Sequence, residues 1–215
     1  MQRSLVGSEM CIRDRYLTKL KEIDNDWHPV RNVINNNLTY TTIDRYWFWR
    51  IDYYLWEQRE LFFKKELLNV VEKYVFRRNR SIEHIAPQHP KDEFGDKDRF
   101  YWDDESRPEV AMKRDCLGNM VMISSGQNST LTNSCFEVKH AVMQRYASGN
   151  GTVESLKMLY VYSKYSSWSL DNIDEHQRFS MNVLKYSYER DSRGWNDFHN
   201  IMPVSYTHLR AHETT

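Results

Sequence analysis

Between Thr41 and Ala86 the chain contains neither glycine nor proline. A stretch so free of helix breakers favours helix over turns and hairpins. Within it Trp47, Ile51, Tyr54, Leu55 and Phe62 recur at three-to-four-residue spacing, which predicts one buried helical face. Thr41 or Thr42 is placed to cap this helix. The segment DRYWFWRIDYYLWEQRELFFKKELLNVVEKY follows, with a break expected near Leu61 to Lys65. The Tyr46-Trp47-Phe48-Trp49 run with Tyr53, Tyr54 and Trp56 reads first as core, and secondly as a surface for stacking bases.

The remaining signals are shorter. Asn35 to Asn37 read as a turn, and Pro87 and Pro90 end regular structure after SIEHIAPQHP. Residues 91–110, charged and aromatic, read as a loop. A Gly118-Asn119 turn precedes a β-like apolar run, Met120 to Ile123. Ser129 to Tyr146 is expected to be helical, with Leu131, Phe136, Val138 and Val142 as its apolar positions. The SGNG turn (Ser148 to Gly151) leads to a second helix, Val153 to Lys164. Ser169 or Asp171 caps a final helix to about Glu189, through Ile173, Phe179, Met181 and Leu184. No internal repeat is visible. The expected class is α+β, mostly helical, with a small β element in the middle.

Composition excludes several functions. Hydrophobic residues make up 40% of the 215 positions and charged residues 28%, which is ordinary for a chain that buries a core. The apolar runs are far too short to span a bilayer, so no membrane partner is expected. Thirty basic residues balance thirty acidic ones, which excludes a simple basic-tail DNA binder but not a local basic patch. Cys11, Cys116 and Cys135 form neither a disulfide framework nor a zinc-binding pair, and a reducing cytoplasm suits them. Residues 1–15 (MQRSLVGSEMCIRDR) and 203–215 (PVSYTHLRAHETT) lack any structural period. They resemble translated sequencing-adapter DNA and are expected to be non-native tails.

The chemistry concentrates in three segments. Glu83-His84-Ile85-Ala86-Pro87-Gln88 puts a carboxylate beside an imidazole at the end of a strand that Pro87 closes. Leu117-Gly118-Asn119 then opens the β-like run. Asn128 follows Asn119 by nine residues and leads into NSTLTNSCFEVKHA. EHIAPQ resembles the D/E-H-I-x-P-Q start of HNH (His-Me finger) nucleases, in which the last metal ligand follows the Asn of the second strand at this spacing. The three segments together, SIEHIAPQ, LGNMVMIS and NSTLTNSCFEVK, resemble the C-terminal HxxP nuclease domain of GmrSD-type, modification-dependent (type IV) restriction endonucleases. Trp168 to His176 resembles that domain's closing helix, and RIDYYLWE fits the helical part before the nuclease core. The likeness covers about residues 40 to 190.

The resemblance implies a small ββα-metal core flanked by helices, and a role for each motif residue. His84 is the expected general base, since an imidazole near neutrality can take a proton from the attacking water. Asn119 is expected to orient that imidazole by a hydrogen bond. Glu83 and Asn128 are expected to hold one Mg²⁺ or Mn²⁺ through oxygen. Glu stands where Asp is commoner, and Asn128 where His is commoner. Asn133, Lys139 and His89 form a second tier. Asn133 reads as a ligand or a loop support, Lys139 first as a solvated side chain and then as a phosphate contact, and His89 as a loop residue. His176 reads as a packing residue. Arg77, Arg78 and Arg80, just before the strand, are phosphate-contact candidates with a solvated loop as the equal alternative.

The implied organisation is a helical segment over 16–76, a nuclease core over 77–147 and C-terminal helices over 148–202. The implied activity is metal-dependent cleavage of DNA in a bacterial or archaeal phage-defence system, with modified phage DNA as substrate and an NTP-dependent upstream domain as partner. A second reading is a nucleic-acid-binding or protein-interaction module on an HNH scaffold that does not cut.

Overall fold

The glycine-free stretch folds as helix only between Tyr46 and Glu72, in three pieces, and its last residues form a strand. A computed structural model of the chain describes residues 38–92 and 94–193, the side chains of 188–193 excepted. The expected tails and the Asn35–Asn37 turn lie outside the described residues. Helix α1 (Tyr46–Glu57) starts later than Thr41 or Thr42. Those threonines instead form a turn, in which Thr42 N and Ile43 N donate to Thr39 O at 3.0 and 2.8 Å. The side chain that greets the helix is Asp44, whose Oδ1 accepts from Tyr46 N at 2.8 Å. Trp47, Ile51, Tyr54 and Leu55 are all buried, as their spacing requires.

After α1 come α2 (Arg59–Phe62) and α3 (Lys65–Glu72), separated by an extended Phe63 at φ −118°, ψ 143°. The break falls within the expected window, and packing explains it. Phe62 and Phe63 are both buried, and neighbouring residues on a helix diverge by about 100°. Turning Phe63 into extended backbone lets both rings reach Tyr160, at centroid distances of 6.4 and 6.2 Å.

Strand β1 (Ser81–His84) pairs antiparallel with β2 (Met120–Ile123), Ser81 opposite Ile123 and His84 opposite Met120. Between them the chain forms α4 (Asp96–Arg99), α5 (Pro108–Arg114) and a 3-10 turn (Leu117–Asn119). The expected loop over 91–110 therefore contains helical turns. Gly118 sits where α9 (Leu170–Arg193) crosses: a Cβ there would lie 2.6 Å from Ile173 O and 2.7 Å from Gln177 N. Only glycine allows that approach.

One expected helix over 129–146 proves to be two, α6 (Ser125–Leu131) and α7 (Phe136–Ala147), split at Thr132 with φ +47°. Ser124 caps α6 by accepting from Gln127 N at 3.1 Å. Asn128 therefore lies inside the helix that follows β2, not at its start. Val138 is exposed, against expectation; the inward face of α7 carries Phe136, Lys139 and Met143.

Helix α8 (Leu156–Lys164) is the centre of the molecule, buried from Leu156 through Tyr162. Its start is doubly held. Ser155 Oγ accepts from Met158 N at 3.2 Å, and Asp52, reaching over from α1, accepts from Lys157 N at 2.7 Å. Burial pushes the Asp52 carboxyl up to about 7, against its bonds from Lys157, Tyr74 and Ser155. Ser169 caps α9 through Asn172 N at 3.3 Å. Arg50 of α1 clamps the far part of α9, donating to Ser187 Oγ at 2.6 Å and Ser187 O at 2.7 Å. The fold is thus α+β and mostly helical. Among the described residues no helix is long and apolar enough to cross a membrane.

Candidate active site

His84 ends β1 and is buried. Its Nε2 lies 3.0 Å from Oδ1 of Asp115, the residue that follows α5. Asp115 is itself gripped from the other side: Arg114 Nε and Nη2 donate to Oδ2 at 3.0 and 2.9 Å, and Gln88 Nε2 donates to Oδ1 at 3.1 Å. A carboxylate accepts only, so His84 Nε2 carries the hydrogen and Nδ1 carries the lone pair. Nδ1 has no hydrogen-bond partner among the described residues. The Tyr40 ring covers the imidazole at a centroid distance of 5.1 Å, held there by Tyr40 N donating to Asp115 O at 2.9 Å.

Electrostatics set the protonation states of the two groups apart. Burial pulls the His84 imidazole down to about 4 despite the charge and hydrogen bond of Asp115, with Lys139 and Arg114 adding to the fall. Burial pushes Asp115 up, but the Arg114 and Gln88 hydrogen bonds and the charges of Arg114 and His84 outweigh it and hold the carboxyl below its ordinary value. At neutral pH the pair is a neutral imidazole donating to a carboxylate.

The Asn119 side chain makes no hydrogen bond to His84. It is fully buried and makes four bonds: Oδ1 accepts from Ala86 N at 2.8 Å and Trp168 Nε1 at 3.2 Å, while Nδ2 donates to Ala86 O at 3.1 Å and Arg114 O at 2.9 Å. That uses the full capacity of an amide, which leaves nothing for the imidazole. The expected Asn119–imidazole bond is therefore replaced by an indirect arrangement. Asn119 fastens the backbone two residues after His84 and one before Asp115. Its own carbonyl also accepts from Ile85 N at 2.8 Å.

Glu83 points the other way from His84, as strand alternation demands. It meets the ammonium of Lys139 at 2.6 Å, and Lys139 also donates to His84 O at 2.6 Å. Lys139 is fully buried, not solvated, because β1 supplies both a counter-charge and a carbonyl. Burial pushes Glu83 up and Lys139 down against their mutual attraction.

The residues expected to hold Mg²⁺ or Mn²⁺ do not fit that task as arranged. Glu83 is already neutralised by a buried ammonium, which a divalent ion would have to displace. Asn128 Nδ2 donates to Ser81 Oγ at 2.8 Å, at the start of β1. Ser81 and His84 stand three positions apart, about 10 Å along the strand, with side chains leaving opposite faces. Ser81 shares its face with Glu83, so the Asn128 amide lies on the Glu83 side of the strand and not on the His84 side. No three His, Cys, Asp or Glu side chains converge as a metal-binding group among the described residues.

A family model described as "GmrSD restriction endonucleases, C-terminal domain" matches residues 28–181. The chain belongs to this family. No curated protein and no solved structure gives a significant match. Within this GmrSD C-terminal domain the remaining predicted residues scatter. Asn133 lies half-buried in the turn between α6 and α7, and His89 is exposed in the loop after β1. Arg77, Arg78 and Arg80 are exposed, whereas Asn79 between them is buried and donates to Glu154 O at 2.9 Å. His176 packs in the core, stacked with Phe179 at 5.4 Å and Tyr160 at 5.9 Å. Cys116 and Cys135 are free thiols.

Asp115, Arg114 and Tyr40 were not marked by sequence. Asp115 precedes Asn119 by four residues in a run of charged side chains, and its partner His84 is 31 positions away. Gln88 lay within the EHIAPQ motif and carried the only such signal.

Proposed function

We propose that this GmrSD C-terminal domain hydrolyses phosphodiester bonds in DNA, with His84 as the general base. One observation carries the reading. A neutral imidazole at the end of the EHIAPQ strand is bonded at Nε2 and unbonded at Nδ1. In that state it can accept the proton of a water whose oxygen bonds to phosphorus, while the leaving oxygen is protonated from solvent. Asp115 and Asn119 hold the base in place, one by a direct bond and one through the backbone. Arg77, Arg78 and Arg80, exposed just before β1, would receive the DNA backbone as phosphate contacts. Membership in the family supports phage defence against modified DNA, with an NTP-dependent partner domain upstream and a bacterial or archaeal cytoplasm as the setting.

Restriction nuclease domains generally use divalent metal ions, and Mg²⁺ or Mn²⁺ would stabilise charge on the phosphate and leaving oxygen. Glu83 does not offer the ion a free carboxylate, because the Lys139 ammonium already pairs with it at 2.6 Å. The same Glu83–Lys139 pairing favours a second reading, a DNA-binding module that keeps the HNH scaffold without cutting. Supercoiled plasmid incubated with the full chain in Mg²⁺, in Mn²⁺ and in EDTA separates the two. Nicking that EDTA abolishes supports the metal-dependent nuclease. Nicking that survives EDTA supports His84 chemistry without the ion. DNA binding without nicking in any condition supports the module.

A further inference from the structure

We propose that Asp115 is the positioning residue of His84: it fixes the imidazole in the Nε2–H tautomer and so makes Nδ1 the nitrogen that faces the reaction. The inference rests on the reading of His84 as general base, and adds a residue that neither the HxxP motif nor its spacing contains.

The geometry leaves Asp115 a single role. Every group around its carboxylate is a donor: Arg114 twice on Oδ2, and His84 Nε2 and Gln88 Nε2 on Oδ1. The guanidinium cannot accept, so it locks the carboxylate orientation, and Oδ1 is left to define the ring. Asp115 is placed by two backbone anchors. Arg114 O is held by Asn119 Nδ2 at 2.9 Å, and Asp115 O by Tyr40 N at 2.9 Å. The acid beside the base in sequence, Glu83, is turned away to Lys139 at 2.6 Å. The acid beside the base in space is Asp115.

An asparagine at this position reverses the pattern. Its NH₂ group cannot face Arg114, so it must face His84, where it needs a lone pair on Nε2. The proton then moves to Nδ1, the wrong nitrogen for the water. Gln88 can turn its amide over and follow.

The test combines nitrogen-15 NMR of the His84 ring in the full chain, assigned with His84→Gln, with plasmid nicking by wild type, Asp115→Asn and Asp115→Ala. The expected results are an Nε2–H ring in the wild type and an Nδ1–H ring in Asp115→Asn. Nicking by Asp115→Asn should lose about 100-fold in kcat with KM within about twofold, on the usual scale of a displaced general base. An Nδ1–H ring in the wild type, or wild-type kcat in Asp115→Asn, would overturn the proposal. The wild-type ring spectrum decides even where a variant fails to fold. A wild type that shows the Nε2–H ring but nicks nothing contradicts the nuclease reading and leaves the Asp115 assignment standing.

Discussion

The Lys139 ammonium, fully buried on α7, lies 2.6 Å from the Glu83 carboxylate beneath β1. The same ammonium donates to the carbonyl of His84, so one lysine joins α7 to β1. Breaking a buried pair by removing one partner typically costs about 3–5 kcal/mol, because the other charge is left unmatched. Lys139→Met is expected to lose stability on that scale. Adding Glu83→Gln to it should restore a substantial part. Urea unfolding of the two singles and the double measures both, and additive losses would show that the side chains do not interact.

Asn119→Ala should cost about 4 kcal/mol or more. It strips partners from Ala86 N, Ala86 O, Arg114 O and Trp168 Nε1, and each buried group left unsatisfied costs roughly 1–3 kcal/mol. Asn119→Asp should do no better, since a carboxylate would face two carbonyl oxygens. A urea midpoint unchanged in either variant would show that this amide is not the fastener between the two halves of the site.

Acid exposes the buried histidines. His176 is fully buried, neither ring nitrogen has a hydrogen-bond partner among the described residues, and burial holds its pKa well below the ordinary value. The unfolded chain takes up that proton below about 6.5 and the folded chain does not, so this stability is complete above 6.5 and drains away as pH falls. His84, lowered to about 4, acts with the same sign between 6.5 and 4. Asp52, raised to about 7, acts with the opposite sign, so the comparison must be made within a pair of proteins. The advantage of His176→Phe over wild type should grow as pH falls below 6.5, at a slope that approaches about 1.4 kcal/mol per pH unit by pH 5. Thermal or urea unfolding at several pH values reads this, and a constant difference would contradict it.

Much of the fold was legible because it is local. Helical spacing marked the buried face of α1, Pro87 marked the end of β1, and the apolar run Met120 to Ile123 marked β2. What escaped depends on distant partners. The helix start moved to Tyr46 because Asp44, not a threonine, bonds its first amide. Lys139 occupies an inward position three residues after Phe136, which is intelligible only once Glu83 is known to lie opposite. His84 was legible from EHIAPQ. Asp115 was not, since the contact between them is made by antiparallel pairing and by a turn that Asn119 closes.

Proton abstraction by His84 in a DNA nuclease is open to one decisive measurement. It is the nicking rate of the full chain beside His84→Ala at neutral pH, on supercoiled plasmid with Mg²⁺ or Mn²⁺, with both proteins shown to be folded. His84→Ala should nick about 10²–10⁴-fold more slowly, the range that a positioned general base contributes. Equal nicking by the two proteins would contradict it.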